Sequence, residues 1–92
     1  MDQQQVTSEA WASVSCRLLK SALKLKGVSY RELSARLARL GIDESESNLS
    51  NKINRGRFSA AFMLQVFHAI GMKHISVVDP DSLAIQSEIA SD

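Results

Sequence analysis

The sequence predicts an all-α fold of four or five short helices, on three observations. Apolar residues recur at steps of three and four through most of the 92 residues. Capping residues open the periodic stretches, Thr7 or Ser8, Ser29, Asp43 and Ser59, and the first four run out at the glycines Gly27, Gly41, Gly56 and Gly71. There is a single proline, which argues against a turn-rich sandwich or barrel. The length is that of one domain. A 45% apolar and 23% charged composition is that of a chain that folds around a core.

The first helix opens at Thr7 or Ser8, with Glu9 suited to the positive end of the helix dipole. Trp11, Val14, Leu18, Ala22 and Leu25 form its expected apolar face, with Trp11 as the core anchor. Ala12, Cys16, Leu19 and Leu23 form a second strip on its flank, and Arg17, Lys20 and Lys24 take the remaining face. The second helix, about residues 30–40, opens at Ser29, with Glu32 at capping-box spacing. It should bury Leu33, Leu37 and Leu40, leaving Arg31, Arg36 and Arg39 largely outside.

The connector IDESES follows, with Asp43 and Glu46 again at capping-box spacing. A third helix, about residues 46–55, has only Leu49 and Ile53 as large apolar residues; its opposite face carries Ser47, Asn51, Asn54 and Arg55, with Asn48 at the edge. Ser59 caps a fourth helix, AAFMLQVFHAI, whose only polar residues are Gln65 and His68, so it reads as a core or interface helix in which Met63 serves as filler. Residues 74–78 read as extended. Asp79-Pro80 could open a short fifth helix. The expected organisation is a flexible N-terminus at 1–6, a domain at 7–72 and a C-terminal extension at 73–92.

Charge is distributed unevenly. Residues 17–57 carry ten Lys and Arg against Glu32, Asp43, Glu44 and Glu46, whereas both ends are acidic. A basic centre can be the footprint of an anionic polymer. With 5% aromatics, a stacking surface for single strands is not expected. One cysteine excludes a disulfide framework and fits a reducing cytoplasm, and Cys16 reads as a packing residue. His68 and His74 lie six apart, not at the three or four of a helical metal pair. No metal, cofactor or membrane span is expected, and the start of the chain lacks the basic and apolar stretches of a signal peptide. No nucleophile elbow or phosphate-binding Gly loop is present, so no enzymatic activity is expected.

The second and third helices have the composition of a helix-turn-helix reader: a well-anchored helix, a connector, then a short helix held by two apolar residues with amides and bases on its free face. Asn pairs adenine bidentately, and Lys or Arg pairs guanine. Ser47, Asn48, Asn51 and Lys52 are the expected base-reading residues. Arg55, Arg57 and Ser59 are the expected phosphate contacts.

The stretch SYRELSARLARLGIDESESNLSNKINRGRFSAAFMLQVFHAIG resembles the lambda-repressor-like (XRE) helix-turn-helix family. The likeness rests on Ser29, Glu32-Leu33, Leu37, Gly41-Ile42, Leu49-Ser50, Ile53, Gly56 and Ile70-Gly71. It implies a four- to five-helix lambda-repressor-like helix-turn-helix bundle in which the third helix reads double-stranded DNA and Ser29 to Arg31 and Arg57 touch phosphates. The SNLSNKINRGRFSAAF block also resembles small bacterial proteins grouped as a domain of unknown function. Two features depart from the helix-turn-helix pattern: the Gly41–Ser45 connector is longer than the usual turn, and Asp43, Glu44 and Glu46 crowd the end of the third helix that should approach phosphates.

The expected function is a sequence-specific, DNA-binding transcriptional regulator without enzymatic activity. The alternative is a protein-interaction adaptor that keeps the fold without a DNA role; a small nuclease using His68 or His74 ranks behind both. Surplus apolar surface predicts a homodimer through residues 72–89.

Overall fold

A computed structural model describes residues 7–75. Among them are four helices and no strand: α1 (Ser8–Lys26), α2 (Tyr30–Arg39), α3 (Glu46–Arg55) and α4 (Ala60–Ile70). The expected fifth helix, most of the extended segment and most of the proposed dimer segment lie outside the described residues. His74 and Ile75, the described part of the extended segment, have no regular structure.

Every helix opens on a hydroxyl. Thr7, Ser29, Ser45 and Ser59 sit in extended backbone, and each side chain accepts from the amide three residues on. This satisfies one orphan donor per helix. At α3 the cap is Ser45, not Asp43: the Asn48 amide donates to Ser45 Oγ at 3.1 Å. The expected Asp43–Glu46 box therefore does not form. At α2 the Glu32 amide donates to Ser29 Oγ, but the Glu32 carboxylate turns forward to Arg36 at 3.1 Å instead of back to the cap.

The core joins Leu19, Ala22 and Leu23 of α1 to Leu33 and Leu37 of α2, Leu49 and Ile53 of α3, and Phe62, Val66, Phe67 and Ile70 of α4. Burying an aliphatic side chain of this kind stabilises by about 1.5–3 kcal/mol. Both α1 and α2 pack on α3 and α4, while the backbones of α1 and α2 stay apart. Arg36 ties α2 to the end of α4, its Nη1 donating to the Ala69 carbonyl at 3.2 Å.

Two expectations about the core are corrected. Trp11 is 45% exposed and Leu25 68% exposed, whereas Val14 and Ala22 of the same expected face are buried, and the strip expected on the flank of α1 adds Leu19 and Leu23 to the core. The cause lies at Gly56, the C-cap of α3, which is buried against the backbone of α1. A Cβ built on Gly56 would lie 1.8 Å from the Ala12 carbonyl oxygen. With α3 docked at Ala12, the adjoining side of α1 faces inward and Trp11 is turned to the flank. The second correction is Leu40, which is exposed. The chain turns at Gly41, and Ile42, whose amide donates to the Leu37 carbonyl at 2.9 Å, packs on the core in its place. Val28 in the α1–α2 turn is buried, although the periodicity did not mark it.

Candidate nucleic-acid interface

Helix α3 is held by Leu49 and Ile53, both fully buried. Positions on the opposite side must therefore face outward. Ser47, Asn48, Asn51, Asn54 and Arg55 are all exposed. Three of the four expected base-reading residues thus share one open surface. Asn54 joins them, its Nδ2 donating to Ser50 Oγ at 3.2 Å.

Lys52, the fourth, is turned aside. Its Nζ donates to Glu44 Oε2 at 2.6 Å and lies 4.6 Å from the Phe62 ring centroid. Phe62 in turn packs against Phe58, with ring centroids 5.5 Å apart. Lys52 therefore joins the connector, α3 and α4. The same contact withdraws Glu44, whose side chain is 15% exposed, from the group of acids before α3. Ser34 Oγ donates to the Glu44 carbonyl at 2.6 Å and pins the connector to α2. Asp43 and Glu46 remain exposed near the α3 N-terminus.

The expected phosphate contacts fall into two groups. Ser29 and Ser59 are exposed N-caps, and Arg31 is exposed on the first turn of α2. Arg55 and Arg57 belong elsewhere, beside α1. Arg57 Nη1 donates to Ser8 Oγ at 2.7 Å, and its Nη2 lies 3.9 Å from Glu9 Oε2. Both arginines line an open depression of about 330 Å³ between α1 and the end of α3. Arg17, Ser13, Cys16 and Asn54 line it too. Sequence reasoning had left Arg17 on a solvent face; the signal it missed is that Glu9, Ser13 and Arg17 recur at steps of four and so stack on one side of α1.

At the foot of α2, burial raises the Tyr30 hydroxyl above its usual value, and the charge of Cys16 adds to the effect. Among the described residues no cluster of His, Cys, Asp or Glu could hold a metal ion, and no helix is long and apolar enough to cross a membrane.

The family model described as Domain of unknown function (DUF6471) matches residues 11–75, and the chain belongs to this family. The match spans most of α1 and all of α2, α3 and α4, so the block read from residues 47–62 is part of a longer shared unit. No curated protein and no solved structure matches the chain.

Proposed function

We propose that this domain is a non-enzymatic, cytoplasmic DNA-binding regulator that lays α3 in the major groove. The observation that carries this reading is the outward face of α3: three asparagines, a serine and an arginine exposed on a helix whose buried residues are Leu49 and Ile53. Asparagine amides match the N6 and N7 groups of adenine, and a short, shallowly anchored helix leaves that face free to enter a groove. Ser47, Asn48 and Asn51 read bases. Arg55 and Arg57 hold the backbone beside them, with Ser29, Arg31 and Ser59 as further phosphate contacts. Lys52 serves the fold, since its ammonium is engaged by Glu44 and Phe62. The resemblance to lambda-repressor-like regulators supports the same reading.

Selection of bound sequences from a random duplex library at near-physiological salt tests it. An enriched motif is expected. Asn51→Ala should then cost about 1–3 kcal/mol on that motif and little on random duplex. Equal weakening on all duplexes would remove α3 as the reading helix.

One observation favours a protein-interaction adaptor instead. Asp43 and Glu46 are exposed at the N-terminal end of α3, where their like charge repels the phosphates that this end would have to approach. Failure to enrich any sequence, together with a weak salt dependence, would favour that reading.

A further inference from the structure

The depression between α1 and the end of α3 is lined by three arginines, Arg17, Arg55 and Arg57, and by one acidic residue, Glu9. Among the described residues Arg17 and Arg55 make no ion pair. Arg57 meets Glu9 only at 3.9 Å, and the Glu9 side chain is 84% exposed. The lining therefore holds an excess of positive charge around an open hollow. On one side Gly56 sets the end of α3 directly against the Ala12 carbonyl. Arg57 is further oriented by its bond to Ser8 Oγ.

We infer that this depression is a seat for a phosphate group, in which Arg17 of α1 acts together with Arg55 and Arg57. Guanidinium forks match phosphate oxygens bidentately, and three of them around one hollow suit a tetrahedral dianion or a phosphodiester. The inference deepens the DNA reading by making α1 a second contact with the strand beside the groove occupied by α3. A phosphate entering the seat would compete with Glu9 for Arg57, so Glu9 weakens the site. The same chemistry would also hold a free phosphate, and the two sources are separable by experiment.

Cys16 lines the hollow and is the chain's single cysteine, so its alkylation by a neutral reagent reports occupancy without ambiguity. The test uses the full chain in two arms, one with a random-sequence duplex and one with inorganic phosphate. Arg17→Gln is compared with Lys20→Gln, whose exposed side chain does not line the hollow, and thermal melts confirm that both variants fold. In the duplex arm, Arg17→Gln should flatten the slope of log affinity against log salt by about one unit, and Lys20→Gln should flatten it less. Glu9→Gln should tighten binding, and duplex should slow Cys16 alkylation in the native chain but not in Arg17→Gln.

If phosphate alone slows alkylation, saturably and dependent on Arg17, the seat stands with a free anion as its ligand and the DNA reading fails. If duplex binds and Arg17→Gln leaves both the salt slope and Cys16 protection unchanged, the seat is overturned while the DNA reading stands. Cys16 alkylation that neither duplex nor phosphate slows overturns the seat as well.

Discussion

Gly56 is the residue on which the packing of α1 depends most. Its φ of +70° lies in the left-handed region, and its missing side chain leaves room for the Ala12 carbonyl. Gly56→Ala adds a methyl where backbone already stands, besides the conformational strain. A loss of at least ~2 kcal/mol is expected, read as a fall in melting temperature of about 8 °C or more. The sequence showed a glycine at a helix end and nothing more, because the partner at Ala12 is 44 positions away. Tyr30 offers a pH test. Its folded value is raised above 10, so the neutral phenol is favoured in the fold. That contribution is complete below pH 10 and is lost as pH rises from 10 through the raised value. Urea melts at high pH should therefore show the native chain losing more stability than Tyr30→Phe between pH 9 and pH 11, read as about 10 ± 1 around the reference value.

Among the elements, α2, α3 and α4 were legible to within a residue or two. Their caps are local hydroxyls and their terminators local glycines. The face of α3 was legible for the same reason, since two apolar residues define it. What periodicity could not decide was competition among several capping residues and several apolar strips. Asp43, Ser45 and Glu46 stand close together, and Ser45 is the one that meets an orphan amide. Ser45→Ala should accordingly cost about 1 kcal/mol in chemical denaturation, and Asp43→Ala clearly less. The strips of α1 were resolved only by the docking of α3. The connector also changes how its acids are to be tested. Glu44 neutralises Lys52, so removing its charge would disturb the fold as well as the electrostatics. Asp43→Asn with Glu46→Gln is the cleaner pair. Non-specific duplex affinity should rise, most at low salt where the Debye length is long, as anisotropy titrations would show. An unchanged affinity would mean that this end of α3 does not face DNA.

At the scale of the molecule, a single reading helix presents little surface for discrimination among many competing sites. We propose that the chain pairs with a second copy, doubling the interface and spacing two half-sites about a helical turn, or a multiple of one, apart. The apolar residues available include Ile75 at the end of the described chain and Val77, Val78, Leu83, Ile85 and Ile89 beyond it in sequence. Light scattering on the full chain, with and without duplex, should give the mass of a dimer. A monomer under both conditions would overturn the pairing.

The separation of α1 from α2 bears on how the polypeptide is made. Of the four described helices α1 leaves the ribosome first, but both of its helical partners are encoded after residue 45. At about 5–20 residues per second, several seconds can pass between completion of α1 and emergence of α4. Until α3 emerges, Leu19, Ala22 and Leu23 have neither partner helix to rest on, and α4 comes later still. The first of the described helices to be translated is thus docked among the last, and a chain stalled before α4 would leave α1 and α2 each short of one of its two supports.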